Sequence, residues 1–321
     1  MKKKFVISII IFAINATFSL ADEKIVVFHA GSLSVPFLQI KKAFETKYHR
    51  YNVILESAGS RACARKITDI HKPADVMASA AYKVIDNLLI PDYAKFNAHF
   101  ATNEMVIAYT KKSKFADKIN SKNWSKIFLK KEVKIGHSNP NLDPCGYRAI
   151  LVTKLAGIYY KIPNFYEKLM GYGDSYTAGE ENRNKIIIRP KETDLLGLLE
   201  AGAYDYLYIY KSVAKQHHLK YITLPSKISL KSKKYTSFYK QAIFKITGKE
   251  LGTCIVKKGS PMIYGITIIQ NREKNLPRNK EGSIKFVNFI LGPQGQKIME
   301  ENGQGVINPP VITGDASILE K

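Results

Sequence analysis

Four residues stand where an apolar strand pattern gives way to a helix pattern: Ser32, Ser34, Ser60 and Asp143. A helix begins with backbone N–H groups that lack partners and with a partial positive charge. Several such starts facing one point make a seat for an anion. Each of the four has a plainer reading too, as an N-cap worth about 1 kcal/mol to its own helix. Other chemistry-bearing residues are scattered. The chain has no phosphate-binding loop, dinucleotide fingerprint, zinc-protease helix or nucleophile elbow. His217 and His218 are adjacent, so on a helix they diverge by about 100° and make no natural metal pair. His29 and His137 each follow a strand and read as structural. Three cysteines exclude a four-cysteine zinc site and a disulfide framework. At this level an anion seat and ordinary caps both stand, and nothing in the sequence supports a catalytic triad.

The elements that must position these residues alternate between strand and helix, which indicates an α/β fold. Strand patterns cover 25–29, 51–56, 74–77, 104–110, 133–136, 206–210 and 263–269. Helix patterns follow Pro36 and Ser60, and cover 146–160, 194–200 and 283–291. Phe37, Ile40 and Phe44 form the inward stripe of the first helix. With 321 residues, 45% of them hydrophobic, the chain can build one large domain or two lobes. The net charge is +23, from 50 Lys+Arg against 27 Asp+Glu. Lysines spread along the whole chain read as a solvated surface that can attract an anion, not as a nucleic-acid stripe. Lys2, Lys3 and Lys4 precede an apolar run over 5–21 that ends Ser19-Leu20-Ala21. That is the layout of a secretory signal peptide cleaved after Ala21. A retained N-terminal anchor is the other reading. No cysteine follows the run, so a lipoprotein anchor is not indicated. The mature chain is expected in a periplasm or outside the cell.

Five stretches, in order, carry a family resemblance. They are His29-Ala30-Gly31-Ser32-Leu33-Ser34, Ala58-Gly59-Ser60-Arg61-Ala62-Cys63, and Pro73-Ala74-Asp75-Val76-Met77-Ala78-Ser79-Ala80. The fourth is Asn139-Pro140 with Asp143-Pro144-Cys145-Gly146-Tyr147-Arg148. The last is Arg189-Pro190-Lys191-Glu192-Thr193-Asp194 leading to Tyr208-Ile209-Tyr210-Lys211. Together they resemble the exported molybdate/tungstate-binding proteins of ABC importers, in the branch typical of archaea. The likeness runs over essentially all of 24–310. It implies an α/β, two-lobed periplasmic-binding-protein type II fold with the oxyanion in the cleft between lobes. The expected lobes are 22–107 plus 262–321, and 108–261.

Carried over by motif, Gly31, Ser32 and Ser60 donate from the first lobe. The segment Asp143, Pro144 and Cys145 contacts the ligand from the second, and Tyr210 closes the site. Asp143 and Glu192 match carboxylates that touch the metal centre itself. Two ionised acids beside a dianion repel it strongly in a dry cleft. Tungsten(VI) and molybdenum(VI) can expand toward six oxygen ligands, so carboxylate oxygen becomes a ligand. Phosphorus and sulfur cannot readily do so. Without the resemblance, Asp143 reads as an N-cap and Glu192 as a first-turn acid. Arg148 reads as a salt-bridge partner rather than a ligand contact. Cys63 and Cys145 lie on loops expected to face the same cleft, so a disulfide between them is open, leaving Cys254 unpaired. The implied function is capture of tungstate or molybdate by a monomer and delivery to a permease with a cytoplasmic ATPase. No cofactor, enzymatic activity or nucleic-acid partner is implied. The alternatives are a protein of the same fold for sulfate or phosphate, and an exported hydrolase.

Overall fold

The computed structural model describes residues 23–177, 181–250, 252–270 and 277–320, and the expected leader lies outside them. In chain order the strands are β1 (Glu23–Ala30), β2 (Tyr51–Ala58), β3 (Val76–Ser79), β4 (Phe96–Thr102), β5 (Met105–Tyr109), β6 (Ile135–Ser138) and β7 (Ile186–Arg189). They continue with β8 (Tyr206–Tyr210), β9 (Lys220–Thr223), β10 (Ile243–Thr247), β11 (Cys254–Lys258), β12 (Ile263–Ile268) and β13 (Gly305–Gly314). One sheet has six strands in the order β13-β4-β12-β3-β1-β2, and another has five in the order β7-β6-β8-β5-β9. β10 and β11 form a separate antiparallel pair.

Both sheets are mixed. β1 lies parallel between β2 and β3, while β12 and β13 run antiparallel to their neighbours. β6 is parallel to β7 and β8, and β5 is antiparallel to β8 and β9. A strand covered on both faces carries no polar alternation. β1 shows this from Val27 to Ala30, and all of β8 is buried. The chain passes from the six-stranded half to the five-stranded half at Asn103–Glu104, and returns between β11 and β12. Glu104 is nearly buried at the first crossing and holds Lys211 at 2.7 Å and Lys231 at 3.2 Å.

Helices cover the sheets as the apolar spacing requires. Helix Ser34–Lys47 buries Pro36, Phe37, Ile40 and Phe44, the expected stripe. Phe44 meets Phe286 of helix Lys280–Leu291 edge to face. Helix Pro144–Tyr160 is buried along most of its length, and Lys161 ends it in the left-handed region at φ 54°. Trp124 is fully buried against Phe128, Phe165 and Tyr208. Among the described residues, no helix is long and apolar enough to cross a membrane.

Two strands of the six-stranded sheet lie outside the sequence expectation. β4 carries Asn97 and His99 among its apolar residues, which blurs its pattern. β13 contains Pro309 and Pro310, and its register against β4 shifts between Val306 and Val311. Prolines there remove ladder donors, so the strand reads locally as a loop.

Candidate functional site

The loops that matter leave the carboxyl ends of parallel strands. In open α/β sheets this is where ligands collect. Gly31–Leu33 follow β1, Gly59–Ser60 follow β2, and Ala80 follows β3. From the other half, Asn139–Asp143 follow β6, Pro190–Glu192 follow β7, and Tyr210 ends β8.

Asp143 is buried, and its carboxylate spans two loops. Oδ1 accepts from the Cys145 N–H at 3.0 Å, and Oδ2 from the Glu192 N–H at 2.9 Å. The first bond is an N-cap for helix Pro144–Tyr160, with Pro144 as its first residue. The second ties down the short 3₁₀ turn Glu192–Leu195. Glu192 itself is fully buried, and neither Oε1 nor Oε2 has a hydrogen-bond partner among the described residues. Burial, and then the neighbouring Asp143 carboxylate, push its carboxyl well above the usual carboxylate range. Gly31 packs directly on this group. A Cβ built at Gly31 would lie 2.9 Å from Oε1 and 3.0 Å from Oε2.

Three buried hydroxyls stand on loops of the same strand ends, and each has its oxygen engaged by a donor. Ser32 Oγ accepts from the Tyr264 hydroxyl at 3.0 Å. Tyr264 is free to donate because its oxygen accepts from Asn103 Nδ2, also at 3.0 Å. Ser60 Oγ accepts from the Ala80 N–H at 2.9 Å. Tyr210 accepts from Arg148 Nη1 at 2.8 Å. A hydroxyl carries one hydrogen. With the oxygen already engaged by a donor, that hydrogen is left for an acceptor elsewhere. None of Ser32, Ser60 and Tyr210 donates to any partner among the described residues, and all three are buried. Chains of hydrogen bonds polarise one another, so the Asn103–Tyr264–Ser32 series strengthens the last hydrogen.

The caps expected at Ser32, Ser34 and Ser60 are absent, since none of these helix starts has a side-chain cap of its own. Ser34 pairs instead with Ser57 at 3.1 Å. Nor are the helix starts all open to an anion. The Arg61 and Ala62 N–H groups are taken by Leu142 O at 3.0 and 3.1 Å. This contact joins the two halves of the molecule, and it needs Gly59, whose missing side chain admits Leu142 O. Arg61 extends the junction, with Nε on Asn141 O at 2.9 Å and Nη2 on Thr247.

Arg148 forms no salt bridge among the described residues. It is buried, and Nη1 reaches both Ala80 O and the Tyr210 hydroxyl at 2.8 Å. Its place is to orient Tyr210 and tie the two halves together. The sequence carried no sign of Tyr264 or Asn103, because both act through contacts far away in the chain. Cys63, Cys145 and Cys254 are free thiols, which overturns the open disulfide. The two buried sulfurs face different carbonyls, His29 O at 3.5 Å and Tyr208 O at 3.6 Å. Burial pushes the Cys63 thiol up to about 12 and Cys145 well above its ordinary value. His29 and His137 are buried and lowered to about 4 by desolvation. Each donates from Nδ1 to the carbonyl of the next residue. Among the described residues, no group of three or more His, Cys, Asp or Glu is placed to hold a metal ion.

Residues 25–304 match the family described as bacterial extracellular solute-binding protein. The chain belongs to that family. A solute-binding protein of Petrotoga mobilis is 53% identical over 287 residues, covering 89% of this chain and 85% of its own. The molybdate/tungstate-binding protein WtpA of Thermococcus kodakarensis is 42% identical over 318 residues, covering 94% and 87%. Among solved structures, the periplasmic molybdate-binding protein of Azotobacter vinelandii superposes with a TM-score of 0.60. That pair shares 15% identity and covers 87% of this chain and 98% of that one. This likeness carries the fold, the two-lobed α/β architecture of periplasmic binding proteins. In this solute-binding protein the three hydroxyls and the carboxylate pair lie on loops contributed by both halves.

Proposed function

We propose that this solute-binding protein captures tungstate or molybdate between two lobes and delivers it to an ABC permease. One observation carries the reading. Three buried hydroxyls whose oxygens already accept hydrogen bonds, and a buried carboxylate with no hydrogen-bond partner among the described residues, lie on loops from both halves. A tetrahedral metal oxyanion answers both. Its oxo oxygens accept from Ser32, Ser60 and Tyr210, with Gly31 and the Pro144–Cys145 segment lining the approach. Its metal centre accepts oxygen from Asp143 and Glu192. Sulfate and phosphate offer only the first half. Two like charges 4 Å apart at an effective dielectric near 20 repel by about 4 kcal/mol, so the carboxylates reject those anions.

Relatives at 42% and 43% identity that are called molybdate/tungstate-binding proteins support this choice. The lobes are the two sheet-centred halves, with crossings at Asn103–Glu104 and between β11 and β12. The leader over 1–21 directs export, in keeping with the extracellular family. The test is calorimetric titration of the chain lacking its leader. Tungstate and molybdate should bind tightly and one to one, sulfate should not displace them, and D143A/E192A should abolish binding. Sulfate displacing tungstate, or full binding by the double variant, would overturn the reading.

A further inference from the structure

A cavity of about 470 Å³ opens between the two halves, next to the return crossing at Gly259–Pro261. None of Gly31, Ser32, Ser60, Asp143, Glu192 or Tyr210 lines it. Arg148 and Tyr147 form the wall shared with the site above. Lys83 reaches it from the first lobe, and Lys240 and Lys257 from the second. Asp86 is its acidic residue, and that carboxylate already accepts from Asn97 Nδ2 at 2.8 Å. Lys257 decides the chemistry. Its side chain is buried, yet it has no ion pair among the described residues, only the Tyr147 ring at 5.6 Å. Burial, then Arg61, Lys83 and Arg148, lower it to about 8. A buried ammonium among other cations is costly unless an anion joins it.

We propose that this cavity is a second anion site, taking a small multiply charged anion that bridges Lys83 and Lys257. Its volume falls within the range of small-molecule sites. An anion contacting both lobes favours their closed arrangement. The inference is independent of which oxyanion fills the first site, because it concerns different residues.

The experiment is calorimetric titration with inorganic phosphate and, separately, citrate, at constant ionic strength and without tungstate or molybdate. One equivalent should bind saturably, and the preferred titrant tells phosphate from carboxylate chemistry. Binding should persist in D143A/E192A and weaken about tenfold in K257Q, the loss of one charge-assisted hydrogen bond. K83Q and K240Q alter exposed lysines, so they keep the test decisive should K257Q fold poorly. K83Q should weaken binding by a similar factor. Absence of saturable binding by either anion, or equal binding by all the lysine variants, would overturn the proposal. So would loss of binding in folded D143A/E192A.

Discussion

Replacing Gly31 by alanine tests whether Glu192 touches the bound anion, without altering either carboxylate. The added Cβ would stand 2.9, 3.0 and 3.1 Å from Oε1, Oε2 and Cδ of Glu192, where ordinary contact begins at 3.4 Å. Gly31 is not in the left-handed region, so alanine fits its backbone. The relief must come from the carboxylate, which retreats by about half an ångström to restore contact distances. Metal–ligand distances tolerate only about 0.2 Å. Displacing a metal ligand indirectly typically costs about 10- to 100-fold in affinity, or about 1.4 to 2.8 kcal/mol. Calorimetric titration with tungstate measures this, and a melting curve checks that the fold survives. G197A serves as control, because its Cβ would meet nothing within 4 Å. It should bind as the parent does and gain about 0.5 kcal/mol of stability. Combined with E192Q, G31A should cost little more than E192Q alone, since both act through one carboxylate. A folded G31A protein that binds tungstate within about twofold of the parent, where about tenfold is the least expected, would remove Glu192 from the ligand set.

Glu192 also sets a pH dependence. Its carboxyl is raised by burial first and by Asp143 second. A group raised in the folded state stabilises the fold below its unfolded value, and that contribution is lost as pH rises through the folded value. The ligand-free parent should therefore lose stability relative to E192Q as pH rises from about 5 toward the raised folded value, with the difference absent below about pH 4, as melting curves across that range would show. Coincident curves across that range would contradict it. Y264F removes the donor to Ser32 and should weaken tungstate binding about fivefold, from about 1 kcal/mol for one neutral hydrogen bond; an unchanged isotherm would show that Ser32 needs no such support. Thiol titration should count one fast-reacting cysteine in the native protein, Cys254, and three after unfolding. A count of one in both states would restore the disulfide.

The strand-to-helix junctions at 30–34 and 58–60 were legible because they are local. A β-branched run, a glycine and a serine fall within a few residues, and each has one conformational use. The roles of those serines were not legible. A cap bond is made within a turn and can be read from spacing, whereas Ser60 receives the Ala80 N–H and Ser32 the Tyr264 hydroxyl. Spacing was also silent on side-chain direction. Cys63 and Cys145 stand close to site positions in sequence, yet each sulfur turns toward a separate carbonyl. Arg148 looked like half of an ion pair because a buried guanidinium usually meets a carboxylate. Here a carbonyl and a phenol suffice. Asp143 and Glu192 were recoverable only through the family resemblance, since an N-cap and a first-turn acid look the same locally.

Asn103 stands where the chain passes between the two sheets, and its amide does two jobs. It anchors Ser212 at 2.7 Å and, through Tyr264, polarises Ser32. The crossing between the halves and the Ser32 hydroxyl thus share one side chain in the proposed receptor. In the proposed lobe motion, any rotation that strains this amide also weakens the grip on the anion. Residence time would then be set at the pivot rather than in the cleft. A transporter need not pull the cargo out; it need only turn the axle.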